Sequence, residues 1–148
     1  MIINTTRFGE VEVDEEKILN FPEGIPGFAE RQFTIIKLSN QGPFSWLQAV
    51  NDPDLAFAVA DPWTFFADYH PEISLSDCKS LGLEKTDEAI VFVLVVVRSE
   101  TITVNLLAPL FINPETRQGK QVILLNKEYS IRQPLLIEVP DKEEAIAS

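Results

Sequence analysis

The sequence contains very little cysteine and histidine, which removes several kinds of chemistry. Cys78 is the only cysteine and His70 the only histidine among 148 residues. No intrachain disulfide can form, and a structural zinc site needs four Cys or His ligands. A Ser-His-Asp or Cys-His catalytic arrangement would have to use His70, which stands between Tyr69 and Pro71. We therefore expect no metal, no cofactor and no enzymatic activity. A hydrolase or a small-molecule-binding barrel that uses His70 is the alternative.

Long apolar runs and positive charges are also scarce. The longest apolar run, Ile90 to Val97, is far too short to span a bilayer, and the N-terminus lacks the pattern of a signal peptide. The 23 acidic residues outnumber the 12 basic ones, which gives a formal net charge of -11. Nucleic-acid phosphates and anionic membranes repel such a chain. We expect a cytoplasmic protein that binds no membrane and no nucleic acid directly, and whose partners are basic or apolar proteins.

The sequence does contain a succession of short strand patterns. Bulky residues alternate with alanines over 55–60, and apolar residues alternate with polar ones over 101–106. The run 90–97 is apolar on both faces, which predicts a central strand, and a hairpin loop at 98–100 joins it to the next strand. Further strands are predicted at 2–8, 11–13, 17–20, 33–38, 44–50 and 121–125.

Crossover helices are missing from this pattern, which bears on the fold class. The expected fold is mainly β: a single-domain antiparallel β-sandwich or partly open β-barrel with one or two short helices. The domain is expected to cover residues 1–140, and residues 141–148 are expected to form a flexible C-terminal tail.

One short helix carries clear local signals. Ser74 can cap it by accepting a hydrogen bond from the backbone of Asp77, and Gly82 supplies a left-handed stop at its end. Leu75, Cys78 and Leu81 are predicted to share its apolar face, with Cys78 as a small buried hydrophobe.

The segment FPEGIPGF, residues 21–28, resembles a glycine-rich phosphate loop only superficially. It has no lysine, and no helix pattern follows it. Gly24 and Gly27 are instead predicted to be turn residues behind the two prolines, with Phe21 and Phe28 as buried anchors.

Two segments are candidates for binding a partner. DPWTFFADYHPE, residues 61–72, places four aromatic residues among acidic ones just after a strand. These aromatics either close one end of the core or form an anchor site for an apolar, basic peptide or protein surface. The second segment is NLLAPLFIN, residues 105–113, where Pro109 predicts a bulge or an exposed edge that could accept a partner's strand.

Three blocks of the sequence resemble one protein family. TRFGEVEVDEEKILNFPEGIPGF, GPFSWLQAVNDPDLAFAVADPW and ITVNLLAPLFINPETRQGKQVIL follow one another in the order found in the bacterial flagellar assembly factor FliW family. The resemblance reaches from the N-terminus to about Leu136. It implies a compact, mostly β cytoplasmic protein without enzymatic activity.

The resemblance also implies partners and a mechanism. Proteins of this kind bind newly made flagellin and, alternatively, the translational repressor CsrA, a small basic dimer that grips messenger RNA. Flagellin translation is thereby coupled to flagellin export. The protein-binding candidates carried over from the matching blocks are Trp46, Asp61, Pro62, Phe65, Phe66, Tyr69, Asn105 and Pro109.

Overall fold

A computed structural model describes residues 1–37 and 42–135. Their strands are β1 (Ile2–Thr5), β2 (Gly9–Glu12), β3 (Leu19–Asn20), β4 (Gln32–Ile36), β5 (Phe44–Ala49), β6 (Ala56–Ala60), β7 (Ile90–Arg98), β8 (Thr101–Val104), β9 (Leu110–Ile112), β10 (Gly119–Gln121) and β11 (Gln133–Pro134). The α-helix is α1 (Leu75–Leu81), and short 3-10 helices cover Glu15–Lys17, Pro62–Thr64 and Thr86–Glu88. The predicted strand end at Leu38, the end of the predicted domain at 136–140 and the predicted tail at 141–148 lie outside the described residues.

Most strands belong to one curled antiparallel sheet. Its order is β10-β9-β7-β6-β5-β4-β3, and β8 pairs with both β7 and β11. Between the ends of the sheet at β3 and β10, the backbone pairing of the described residues is limited to one isolated bridge, where the backbone amide of Asn20 donates to the Arg117 carbonyl at 2.9 Å. The expectation of a mainly β, antiparallel, partly open fold is confirmed. The prediction of a β-barrel is wrong in the strict sense, because the sheet does not close on itself.

The β1-β2 hairpin forms a separate two-stranded sheet. Ile3 and Val13 of this region bury their side chains with Ile18 and Val50 in a small core of their own. The backbone amide of Thr6 donates to the carbonyl of Pro53 at 2.9 Å, which fixes the hairpin to the β5-β6 connection.

The strands β8 and β9 form one interrupted strand alongside β7. Val104 pairs with Val95, but Leu110 pairs with Phe92, so residues 105–109 stand opposite only residues 93–94. This extra length is a bulge, as Pro109 predicts. The predicted exposed edge is wrong, because the far side of the interrupted strand is paired with β10 and β11.

The predicted strand at 121–125 begins earlier than expected. Regular pairing covers Gly119–Gln121, opposite Leu110–Ile112. Beyond it, the amides of Val122 and Leu124 donate to the carbonyls of Pro109 and Leu107 at 3.0 and 2.9 Å. The hydrogen bonds of residues 119–124 therefore continue past β9 into the bulge at 105–109. The pairing starts at Gly119, directly after the turn.

The sheet buries side chains on both faces, as the alternation of bulky residues and alanines predicts. Ala58 and Ala60 of β6 lie in the larger core with Trp46, whereas Val59 lies in the smaller core with Leu47. In β7 the odd positions 91, 93 and 95 are buried in the larger core, and Phe92 and Leu94 pack against the smaller one. The central position of β7 is confirmed, although Val96 is 42 % exposed.

The helix α1 has the predicted boundaries. The Ser74 hydroxyl accepts from the Asp77 amide at 3.1 Å, and Gly82 follows with a φ of 70°. The predicted apolar face is wrong in part. Leu81 is buried, but Leu75 is 82 % exposed and Cys78 is only half-buried. Seven residues make two turns, and only the second turn reaches the core.

The corner at 21–28 is a turn, as predicted. Gly24 and Gly27 have φ values of 69° and 91°, which favour glycine. Phe21 is fully buried, but Phe28 is 46 % exposed and contacts Phe57 edge to face at 5.0 Å. The prediction that Phe28 is a buried anchor is therefore wrong.

Candidate functional site

The segment after β6 forms a short turn that brings an aromatic side chain to the surface. Asp61 caps the turn Pro62–Thr64, and its side-chain oxygen accepts from the Trp63 amide at 2.9 Å. Trp63 is 41 % exposed. Its indole Nε1 donates to the Tyr69 carbonyl at 2.8 Å, so the ring is held at a defined place on the surface.

Tyr69 joins this segment to the bulge between β8 and β9. Its side chain is buried, and its hydroxyl donates to the Leu106 carbonyl at 2.7 Å. Burial, and secondarily the neighbouring Tyr129, raise the pKa of the Tyr69 hydroxyl well above its ordinary value. The hydroxyl therefore stays protonated, which keeps it a hydrogen-bond donor to Leu106.

The loop at 126–129 holds the other end of the segment. The side-chain oxygen of Asn126 accepts from the Glu72 amide at 2.7 Å, and its nitrogen donates to the His70 carbonyl at 3.1 Å. The Tyr129 hydroxyl accepts from the His70 amide at 3.1 Å. Asn126 is only 6 % exposed, and its two bonds fix the path of residues 70–72.

His70 itself lies on the surface. Its Nδ1 is 2.9 Å from the Asp68 carbonyl and 3.0 Å from the Tyr129 hydroxyl. Its Nε2 lies 3.9 Å from a Glu128 carboxylate oxygen. Within the described part of the chain, no serine, threonine or cysteine side chain is hydrogen-bonded to the ring. The contacts of the His70 ring connect residues of its own loop to residues of the loop at 126–129, which is a structural role.

A groove runs between the aromatic segment and the start of β7; we call it the aromatic groove. It has a volume of about 740 Å³. Its lining residues are Trp63, Tyr69, His70, Pro71, Lys85, Thr86, Asp87, Ala89 and Val91. Exposed carboxylates lie on the two segments that form its walls: Asp61, Asp68, Glu72, Glu84, Asp87 and Glu88. The lining of the groove is mainly apolar and aromatic, with one carboxylate, Asp87, and one ammonium group, Lys85, while its two segments carry the further exposed carboxylates.

The predicted site residues of the aromatic segment occupy different depths. Tyr69 lines the groove from below, and Pro62 is buried. Phe65 and Phe66 are half-buried and pack on the larger core, where Phe65 stacks on Phe44 at 5.8 Å. For these two phenylalanines the structure agrees with the interpretation that they close one end of the core.

The remaining site candidates lie away from the groove. Trp46 is 1 % exposed, and the Arg7 guanidinium lies 4.1 Å from the centre of its ring. Asn105 accepts from the Ala108 amide at 2.9 Å inside the bulge, and Pro109 is buried. The binding role of the eight-residue set stays a prediction. Its buried members can support a surface but cannot touch a partner.

The opposite wall of the aromatic groove was missed by the sequence reasoning. Lys85, Thr86 and Asp87 come from the 3-10 helix region before β7, and Ala89 and Val91 form the floor. The wall lies more than a dozen positions beyond the aromatic segment in the sequence, and only tertiary packing brings them together. Trp63 belongs to the aromatic segment that the sequence singles out, but the predicted set of site residues does not include it.

Residues 1–37 and 42–135 contain neither a metal-binding cluster nor a membrane-spanning helix. They contain no cluster of three or more His, Cys, Asp or Glu side chains that could hold a metal ion. None of their helices combines the length and the apolar character needed to cross a membrane.

Comparison with known proteins gives one consistent result. A family model described as FliW protein matches residues 2–135. The flagellar assembly factor FliW of Geotalea uraniireducens is 39 % identical over 147 residues, which cover 98 % of this chain and 90 % of that protein. The one of Caldanaerobacter subterraneus is 42 % identical over 143 residues, which cover 94 % and 95 %.

A solved structure agrees with these sequence matches. The crystal structure of a flagellar assembly factor FliW superimposes with a TM-score of 0.84 at 35 % identity, covering 96 % of this chain and 99 % of that one. The order of blocks that suggested the resemblance is thus matched over nearly the whole chain. The protein belongs to the FliW family of flagellar assembly factors.

Proposed function

We propose that this protein is a cytoplasmic, non-enzymatic regulator that binds flagellin and, alternatively, the translational repressor CsrA. Free flagellin occupies the protein and leaves CsrA active as a repressor of flagellin translation. Once flagellin has been exported, the protein is free to sequester CsrA, and translation resumes. Membership of a family of flagellar assembly factors supports a role in flagellar assembly. The aromatic groove supports the binding of an apolar segment of a partner protein.

The observation that carries the proposal is the aromatic and apolar lining of the aromatic groove, on two segments that also carry exposed carboxylates. Exposed Trp63 and the half-buried Ala89 offer contact area to an apolar segment of an unassembled filament subunit. The exposed carboxylates of the two segments and the net charge of -11 attract a basic dimer and accelerate its encounter. We infer that both partners use this one surface, so that one excludes the other.

A binding experiment with two matched variants tests the groove. Purified flagellin monomer and CsrA are each titrated into the protein by calorimetry. Trp63→Ala is expected to weaken flagellin binding by about tenfold or more, because an exposed aromatic anchor is lost. Phe28→Ala is the control, since Phe28 is 46 % exposed, close to the 41 % of Trp63, and lies outside the groove. Thermal melts of both variants check that the fold is intact.

The partner-switching step has its own test. A preformed complex with CsrA is passed over a sizing column with increasing amounts of flagellin. Release of CsrA is expected, and raising the salt concentration should weaken the CsrA complex more than the flagellin complex. A stable ternary complex of all three proteins would contradict the shared surface. Equal losses from Trp63→Ala and Phe28→Ala would contradict the assignment to the groove.

The way CsrA is inhibited can be read from a competition with RNA. Exclusion of RNA from the complex indicates that the acidic surface covers the RNA-binding surface of CsrA directly. A complex that contains RNA, CsrA and this protein together indicates allosteric inhibition instead. Turnover of a hydrolase substrate that His70→Ala abolishes would favour the alternative function over the whole proposal.

A further inference from the structure

A second surface of the molecule has the opposite character to the aromatic groove. Its side chains lie on one face of β7 and β8 and on the residues that lead into β11. It is a groove of about 370 Å³ lined by Leu94, Val96, Arg98, Thr101, Thr103, Asn105, Ile131 and Arg132. We call it the arginine strip. It shares no lining residue with the aromatic groove.

The middle of the strip is apolar and open to water. Leu94 packs against the smaller core, and Val96 lies two residues further on the same face of β7. Val96 is 42 % and Ile131 56 % exposed, and the threonines of β8 lie beside them. In the described part of the chain nothing covers this patch.

The charge of the strip is unusual for this protein. Acidic residues outnumber basic ones by 23 to 12 in the sequence, yet no carboxylate is among the residues that line the strip, and two arginines are. Both arginines are exposed, and neither forms an ion pair within residues 1–37 and 42–135. Two guanidinium groups beside apolar surface are suited to carboxylates of a partner.

The sheet register gives the spacing of these charges. Arg98 pairs with Thr101 at one end of β8, and Arg132 directly precedes Gln133, which pairs with Val104 at the other end. Arg132 is thus level with Asn105, four positions along β8 from Thr101, and β8 lies between the strands that carry the two arginines. At about 3.3 Å per residue along a strand and about 4.8 Å between strands, their Cα atoms are roughly 16 Å apart. A helix rises about 1.5 Å per residue, so carboxylates about eleven residues apart, which is three turns, span the same distance on one face.

We propose that the arginine strip binds a short amphipathic helix of another protein. Its apolar stripe packs on Leu94, Val96 and Ile131. Two carboxylates about eleven residues apart on that helix pair with the arginines at the ends of the strip. This binding is separate from that at the aromatic groove, so both surfaces can be occupied at the same time.

Synthetic helices provide the test. One probe is an alanine- and glutamine-based peptide of about 18 residues, with two leucines between two glutamates that are about eleven residues apart. The second probe has lysines in place of the two glutamates. Whole-protein charge favours the lysine probe, whereas the strip favours the glutamate probe. We expect the glutamate probe to bind full-length protein at least about tenfold more tightly than the lysine probe.

Substitutions then locate the binding. Arg98→Glu is expected to reverse the order of the two probes. Arg31→Glu, which makes the same charge change at an exposed arginine outside the strip, is expected to preserve it. In NMR titrations of the wild-type protein, the largest amide shifts are expected at Val96, Thr101 and Thr103. The fold of each variant is checked by its thermal melt.

Each other outcome overturns the proposal. The proposal is rejected if the lysine probe binds more tightly, or if the glutamate probe does not bind at millimolar concentration. It is also rejected if the two arginine substitutions have equal effects. Analytical sedimentation tests whether a second copy of the chain occupies the strip. A concentration-dependent dimer that Val96→Ser dissociates would assign the strip to self-association, and the proposed helix would be rejected. None of these measurements contains flagellin or CsrA, so the two proposals fail separately.

Discussion

Gly119 provides a direct test of the packing between the edge of the sheet and the corner at 21–28. A Cβ atom at this position would lie 2.7 Å from two carbon atoms of the Phe21 ring and 3.1 Å from a third. Carbon atoms in contact are ordinarily about 3.5 to 4.0 Å apart, so Gly119→Ala requires the ring to move by roughly 1 Å.

The ring has little room to move. Phe21 is fully buried, and it meets Phe33 edge to face at a centroid distance of 5.6 Å. Overpacking of a close-packed interior costs about 1 to 3 kcal/mol. For a domain of this size, that corresponds to a melting temperature lower by roughly 2 to 12 °C. Urea unfolding followed by tryptophan fluorescence measures the free energy, and calorimetry measures the melting temperature.

A double-mutant cycle separates the clash from other effects of the substitution. Phe21→Leu removes ring atoms that the new methyl group would meet and is itself destabilising, because it leaves space in the core. The double variant Gly119→Ala/Phe21→Leu should be more stable than the sum of the single effects by about 1 kcal/mol. Additivity within about 0.5 kcal/mol, or a stabilising Gly119→Ala, would refute the close approach.

Four further predictions concern the residues that shape the surfaces. Tyr69→Phe removes the buried hydrogen bond to Leu106 and should lower the free energy of unfolding by about 1 to 2 kcal/mol in urea titrations. Because the raised pKa of Tyr69 lets the unfolded chain ionise first, wild-type stability should fall as the pH rises above about 10, with a smaller fall in Tyr69→Phe. Ser74→Ala should cost about 1 kcal/mol through loss of the helix cap, whereas Ser76→Ala, an exposed change in the same helix, should leave thermal stability nearly unchanged. Asn126→Ala breaks the bonds to residues 70–72, so it should cost about 2 kcal/mol in urea and also weaken flagellin binding in calorimetry.

Features that depend on neighbouring residues could be predicted from the sequence. The boundaries of α1 follow from Ser74 and Gly82, whose capping bonds reach only a few positions along the chain. The turns at Gly24 and Gly27 and the hairpin between β7 and β8 are equally local. The hairpin is one residue tighter than expected, because Arg98 pairs with Thr101 and only Ser99 and Glu100 remain in the loop.

Features that depend on residues far apart in the sequence could not be predicted from it. Trp46 is one of the protein-binding candidates carried over from the matching blocks, but Phe8 and Arg7 of the N-terminal hairpin cover it. Phe28 looks like an anchor, yet its partner Phe57 comes from a strand whose position the local pattern does not give. The aromatic groove has the same limitation, since its Lys85 wall meets Trp63 only after β6 and β7 have paired.

The strand β7 lies behind both proposed surfaces. Val91 contributes to the aromatic groove, and Leu94 and Val96 contribute to the arginine strip. The side chains at odd and even positions of β7 thus point to opposite faces of the sheet, and only the backbone of the strand separates the two surfaces. Inserting or deleting one residue in its middle would exchange the two sets of side chains beyond that point. Changes in chain length are therefore far less tolerable here than exchanges of side chain.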